Sequence, residues 1–377
     1  MATRSSTTPE LRVAIVHDWL TNLGGAERVV LAMSEAFAAA PIYTSVYNVN
    51  TLPEFKHKNI ITSYLQAWPL AKKYHQIYPL ARMRAFESFD FSGYDVVLSS
   101  SSAEAKSIIT STETLHIAYI HTPIRYYWSG YEDYLAHPGL GLLNPIAKLI
   151  LPRLIDRLRA CDLASAQRPD ILLANSKTVQ ARIKKYYQRD SIVLHPPVDL
   201  ARFDVKKATI GDYYLVVSRL VPYKKVDVIV RAFAKSDRKL IIVGDGSQRS
   251  QLEGMATANI EFKGALSDKE VAELYLGAKA VVFAANEDFG ITPVEAMACG
   301  KPVICFGKGG AAETVIDGVT GVYFDRQTPA SLTHALGKFE QRKFDPRKIA
   351  ERAQDFSKEN FVEGLARVVN AKNQKSS

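Results

Sequence analysis

The sequence predicts an α/β protein built from two doubly wound parallel-sheet domains. Three observations lead there. Short apolar runs alternate with helix-compatible stretches along most of the chain. The alternation stops and then restarts after Pro196-Pro197-Val198-Asp199. Glycine-bearing turns follow several of the apolar runs. With 377 residues there is room for two ordinary domains, each burying its own core.

The chain opens on a polar tail, MATRSSTTPE, with no apolar h-region, so no secretory signal is expected. Arg12 to His17 reads as a first strand. It runs through Asp18 and Trp19 into Leu23-Gly24-Gly25-Ala26-Glu27 and a helix to about Ala39, a strand–glycine–helix unit that can begin a doubly wound sheet. Ile42 to Tyr47, Val96 to Ser99, Ile117 to His121 and Ile171 to Ala174 continue as strands, with a helical pattern over Asn144 to Ala166. After the proline pair, Tyr213 to Ser218, Lys239 to Val243, Ile260 to Lys263, Ala280 to Ala284 and Pro302 to Phe306 form the second set. The expected domains are 1–200 and 208–354. A helical stretch over Ile349 to Val369 would cross back, so that about 355–377 rejoins the first domain.

Composition is that of a globular protein, 47% hydrophobic and 23% charged, which confines disorder to the polar ends. No stretch approaches the roughly 20 apolar residues needed to span a bilayer. Three cysteines, Cys161, Cys299 and Cys305, lack metal-ligand spacing and fit reduced thiols in a cytoplasmic protein. The net charge of +9 is unevenly spread. Between Phe55 and Phe86, Lys56, Lys58, Lys72, Lys73, Arg82 and Arg84 interleave with Tyr64, Trp68, Tyr74 and Tyr78. An anionic membrane interface attracts that mixture. A solvated basic face explains it nearly as well. Single-stranded nucleic acid would suit it too, but no nucleic-acid module accompanies it.

The densest chemistry lies in Val281 to Val315. An apolar strand leads to a loop with Glu287 and Gly290, then to a helix starting near Pro293 and carrying Glu295, then to a strand and the turn Gly309-Gly310. A helix N-terminus after a glycine loop exposes backbone N–H groups and the positive end of the helix dipole, a natural seat for a diphosphate. Pro293 belongs just inside such a start, where its missing N–H costs nothing. Two carboxylates beside it suit sugar or ribose hydroxyls; two solvated glutamates by a helix cap are the bland alternative. Arg219 and a lysine six residues on, Lys225, follow a strand, where a guanidinium fork and an ammonium can converge on a phosphate. Lys224 competes for that place. Gly244-Asp245-Gly246 lacks the third glycine of a dinucleotide fingerprint, which weakens a dehydrogenase reading.

Glu287 and Glu295, eight residues apart with Phe289-Gly290-Ile291 and Pro293 between them, make a stretch that resembles the signature of the retaining family-4 glycosyltransferases. The resemblance extends over essentially the whole chain. It implies the GT-B architecture, two facing Rossmann-like domains with a C-terminal helix returning to the first. By the same resemblance Gly24 and Gly25 lie over the donor diphosphate, Arg219 and Lys225 hold it, and Glu295 holds the ribose. Glu287 and His121 contact the donor sugar. Gly244, Lys263, Phe289, Gly290 and Ile291 shape the nucleotide site. Arg125, Tyr126 and Trp128, with Tyr127 between them, would serve the acceptor, and Lys72, Lys73, Arg82 and Arg84 the acceptor or the membrane. No metal or other cofactor is expected.

HDWL, GGAERVV and HTPIRYYW together are most similar to bacterial mannosyltransferases of O-antigen and exopolysaccharide synthesis. That points to GDP-mannose as donor and to a lipid-linked saccharide as acceptor, at the inner face of the cell membrane. A UDP-sugar is the nearest alternative donor. A nucleotide-sugar epimerase and a catalytically silent sugar-nucleotide-binding protein are the rival classes, with a dehydrogenase last.

Overall fold

The computed structural model describes residues 11–74, 79–136, 144–203, 205–209 and 211–373. The N-terminal polar tail, Tyr78 and the last four residues of the C-terminal tail lie outside that set. The chain divides into two compact units, Met1–Asn175 with Val179–Leu194 and Val362–Ser377, and Ser176–Thr178 with His195–Phe361.

The first unit carries a seven-stranded sheet in the order β3-β2-β1-β4-β5-β6-β7. Its strands are β1 (Val13–His17), β2 (Ile42–Thr44), β3 (Ile60–Thr62), β4 (Val96–Ser101), β5 (Leu115–Ile120), β6 (Ile171–Ala174) and β7 (Ile192–Val193). The second carries six, in the order β10-β9-β8-β11-β12-β13. These are β8 (Tyr213–Val217), β9 (Lys239–Val243), β10 (Ile260–Gly264), β11 (Ala280–Phe283), β12 (Val303–Phe306) and β13 (Gly321–Phe324). Every pairing within both sheets is parallel. β1, β4, β5, β11 and β12 are buried along their whole length, so apart from His17 and His116 they read as apolar or small-residue runs rather than alternating ones. Both sheets are Rossmann-like, and the fold is α/β as expected.

Strand order reverses between β1 and β4 in the first sheet and between β8 and β11 in the second. Ligands of open α/β sheets bind outside the carboxyl ends of strands at such switch points. β3, β7 and β13, three, two and four residues long, were not expected from the sequence. The expected helix over Ile349 to Val369 is two helices, Pro346–Gln354 and Lys358–Asn373. The break lets the Phe356 carbonyl accept the Val198 N–H at 3.0 Å, a bond that a continuous helix would forbid. From Val362 onward the second helix belongs to the first unit.

Candidate active site

In the second unit, functional side chains gather at the β8/β11 switch. β11 ends at Phe283, and the loop beyond it carries Glu287 to the helix Ile291–Ala298. That helix starts two residues earlier than expected, and Pro293 sits in its first turn, where no N–H is needed. Its cap is Gly290 at φ 84, a left-handed backbone that a side chain resists; a Cβ there would also come within 3.2 Å of Phe283. The Gly309-Gly310 turn packs against the same loop. Gly310 donates its N–H to the Glu287 carbonyl at 2.8 Å, and a Cβ on it would fall 2.1 Å from the Phe289 Cα. The glycine pair therefore exists to let two backbones touch, which fixes the loop bearing Glu287.

Lys224, not Lys225, forms the ion pair with Glu287, and both side chains are largely shielded from solvent. Lys225 caps the helix Val226–Phe233 in a left-handed conformation, φ 56 and ψ 33, unusual for a residue with a side chain. Arg219 reaches the Tyr223 hydroxyl at 2.5 Å. Glu295, half-buried on its helix, accepts a hydrogen bond from the buried Tyr275 hydroxyl at 3.0 Å. Arg219, Lys224, Glu287 and the Gly290 helix start thus all follow β8 or β11 at their carboxyl ends.

The other donor-site candidates of this unit have contacts of their own within the protein. The Gly244 N–H is used by the Gly264 carbonyl at 2.7 Å, so it offers no free donor to a phosphate. Phe289 is 4% exposed and packs on His195 and Phe356, a core position. Ile291 also packs against that core. Lys263 is exposed and pairs with Glu261 at 2.6 Å.

In the first unit, Gly24 and Gly25 lie at the start of the helix Gly25–Ala36. The Gly24 N–H, however, is taken by Glu27 Oε2 at 2.8 Å. The other Glu27 oxygen lies 3.6 Å from His17 Nε2. His17 Nδ1 approaches the Ser100 carbonyl at 3.1 Å and Ser100 Oγ at 3.2 Å, and Ser100 Oγ lies 2.8 Å from His121 Nε2. Burial, then the neighbouring His17, push the His121 imidazole down to about 3. Burial also opposes charge on His17, but Glu27, Asp18 and the Ser100 carbonyl outweigh it and raise its pKa. Asp18 next to it is buried and accepts the N–H groups of Ser102, Ala103 and Ala105 at 2.6, 2.9 and 2.7 Å, fixing the loop after β4. His17, Glu27 and Ser100 were not singled out from the sequence. Glu27 three residues after Gly24 is a capping pattern. Ser100 gave no signal, because only the β1-β4-β5 order puts it between the histidines.

The acceptor and membrane candidates divide. Lys72, Lys73 and Arg84 are exposed, beside Tyr64 and Trp68, which are 45% and 40% exposed. Arg82 is not part of that surface. It is fully buried, donates to Glu104 at 2.7 and 3.0 Å and to the Tyr126 hydroxyl at 3.1 Å, and lies against the Trp19 ring. Tyr126 spends its hydroxyl on that pair. Trp128 donates its indole N–H to the buried Asp162 at 2.7 Å and stacks on Tyr186, with Arg159 over its ring. Both aromatics are held by interior carboxylates, so neither is an open platform for an acceptor. Arg125 is half-buried at a turn closed by the Gly130 N–H on its carbonyl at 2.8 Å. Among the described residues no three or more His, Cys, Asp or Glu group as a metal site would require, and no described helix is long and apolar enough to cross a membrane.

Comparison with known proteins agrees with this geometry. Residues 23–202 match the family model "Glycosyltransferase Family 4" and residues 198–356 match "Glycosyl transferases group 1". An uncharacterized glycosyltransferase of Methanocaldococcus jannaschii is 33% identical over 169 residues, covering 42% of this chain and 48% of that protein. A GDP-mannose-dependent alpha-(1-6)-phosphatidylinositol monomannoside mannosyltransferase of Mycolicibacterium smegmatis is 31% identical over 214 residues, 48% of this chain and 55% of that one. The chain thus spans about half the length of these curated relatives. Among solved structures, Anabaena HepE in complex with UDP superposes with a TM-score of 0.70 over 96% of this chain and 100% of its own, at 18% identity. The two adjoining family matches and the two parallel-sheet units make this chain a GT-B glycosyltransferase of the family-4 and group-1 type.

Proposed function

We propose that the chain is a retaining hexosyltransferase that moves mannose from GDP-mannose onto a lipid-linked saccharide during surface-polysaccharide synthesis, working at the inner face of the cell membrane. The observation that carries this is the cluster after β8 and β11, where Arg219, Lys224, Glu287 and a glycine-capped helix start meet around one loop. The second unit is the donor domain and the first the acceptor domain. The preference for GDP-mannose is supported by the mycobacterial mannosyltransferase, which uses that donor. A UDP-sugar is the second reading, because the Anabaena neighbour was solved with UDP.

In the reaction, the bond between the anomeric carbon and the leaving phosphate oxygen breaks, and a bond to the acceptor hydroxyl forms on the same face. The acceptor's proton passes to the departing phosphate. Arg219, Lys225 and the Ile291–Ala298 helix start stabilise the growing phosphate charge. Glu295 holds the ribose hydroxyls. Glu287 and His121 contact the sugar. Since Lys224 pairs with Glu287, donor binding exchanges that ion pair for sugar hydroxyls, a cost met by the phosphate contacts. Lys72, Lys73 and Arg84, with Trp68 and Tyr64, are the surface that meets anionic lipid.

Calorimetric titration with GDP, UDP and NAD, without divalent metal and again after EDTA, tests this. GDP preferred over UDP, unaffected by EDTA, is the expected result. UDP preference discards mannose, and binding of NAD alone overturns the glycosyl-transfer reading.

A further inference from the structure

Four side chains of the first unit, Glu27, His17, Ser100 and His121, form a polar chain that begins at the Gly24 N–H. His17, Glu27 and Ser100 are buried or nearly so. Only His121 was given a chemical role, so the other three are buried polar groups with no assigned task. Burying them is costly unless the network satisfies them.

Hydrogen bookkeeping along the chain is directional. The Ser100 backbone carbonyl can only accept, so His17 Nδ1, at 3.1 Å from it, carries a hydrogen. That same N–H also faces Ser100 Oγ at 3.2 Å, which fills an acceptor position on the hydroxyl. The hydroxyl's single hydrogen can then go to His121 Nε2 at 2.8 Å. A nitrogen that accepts carries no hydrogen, so the neutral His121 ring has its own on Nδ1. We propose that Glu27, His17 and Ser100 are positioning residues that hold His121 with its hydrogen on Nδ1, offering one donor of fixed direction. The His121 carbonyl, bonded by Asn175 Nδ2 at 2.9 Å, anchors the residue at the end of β5.

The charges agree. Asp18 just past His17's strand and Glu27 on the helix are the titratable groups that act on His17, and His17 in turn acts on His121 beyond β5. The two carboxylates favour a cation on His17, and that cation, added to burial, keeps His121 neutral. A neutral Nδ1–H is a hydrogen-bond donor and not an acid at neutral pH. Under the proposed function, on which this consequence rests, His121 therefore orients a sugar oxygen and does not protonate one. Because Glu27 also holds Gly24, the glycine turn and the imidazole are fixed by one carboxylate.

The tautomer is read directly by two-bond proton–nitrogen correlation spectra of the whole protein labelled with 15N-histidine. The His121 signals are those lost in His121→Gln. Wild type should show protonated Nδ1 and bare Nε2 at pH 7, and a spectrum with protonated Nε2 overturns the proposal without any variant. Ser100→Ala should move His121 toward the Nε2–H form, and Ser100→Thr should restore the original pattern. An unchanged tautomer in folded Ser100→Ala also overturns it. In transfer assays Ser100→Ala should lower kcat about 10-fold with KM within about 2-fold, the size of one oriented hydrogen bond. If the spectra behave as expected while no nucleotide sugar is turned over, the positioning chain stands and the glycosyl-transfer reading falls.

Discussion

Arg82→Ser should destabilise the first unit and leave its affinity for lipid unchanged in whatever protein remains folded. The guanidinium is fully buried, with two bonds to Glu104, one to Tyr126, and the Trp19 ring 5.2 Å from its centre. Serine would leave the Glu104 carboxylate, 1% exposed, facing the Tyr126 and Tyr127 hydroxyls at 3.5 and 3.4 Å without a countercharge. Removing one partner of a buried ion pair costs about 3–5 kcal/mol. For a unit of roughly 200 residues, about 2–4 °C of Tm goes with each kcal/mol, so the transition should fall by about 6–20 °C. Scanning calorimetry measures that, alongside flotation with anionic vesicles. The triple variant Lys72→Ser, Lys73→Ser, Arg84→Ser is the counterpart. Those side chains are exposed, so Tm should move by less than about 6 °C. Near an anionic surface each is worth about 1 kcal/mol, so vesicle affinity should drop about 100-fold. The joint replacement Arg82→Met with Glu104→Leu should recover most of the lost stability, because no charge is left unpaired. An unchanged Tm in Arg82→Ser, with weaker vesicle binding, would refute the buried-pair argument and return Arg82 to the surface.

Glu295→Ala should weaken nucleotide binding by about 10- to 100-fold, the worth of a charge-assisted hydrogen bond. Tyr275→Phe, which removes only the hydroxyl on the other side of Glu295, should leave calorimetric affinity unchanged; equal losses would make Glu295 a structural residue. Lys225→Gly removes the ammonium but suits the left-handed backbone, so it should keep or raise Tm while slowing transfer at least about 100-fold, and normal kinetics would shift the phosphate role to Lys224. His116 is fully buried, 2.8 Å from Ser99 Oγ, with its pKa pushed down to about 3 by burial. The unfolded chain takes up that proton first, near pH 6.5, so the stability is complete above that value and is lost as pH falls toward 3. About 2 kcal/mol should go between pH 6.5 and 5, and His116→Leu should flatten that slope in urea titrations.

The two-sheet architecture was legible because a parallel strand buried on both faces is an unbroken apolar run, and β6 and β9 were located to the residue. The Glu287-to-Glu295 loop was equally plain, since glycine, proline and helix-start signals are local. Sequence also marked the basic and aromatic interleaving before Phe86, but not which members face water. Arg82 is placed inside by Glu104, 22 residues away along the chain, and Trp128 by Asp162, 34 away. Burial of a charge depends on a distant countercharge arriving, and no local pattern records that. The same holds for Ser100, which acquires its position between His17 and His121 only once β4 lies between β1 and β5. Local backbone preferences and hydrophobic periodicity wrote the strands, the turns and the helix starts. Strand order and long-range pairing decided which lysine meets Glu287, which arginine is core, and which hydrogen His121 can offer.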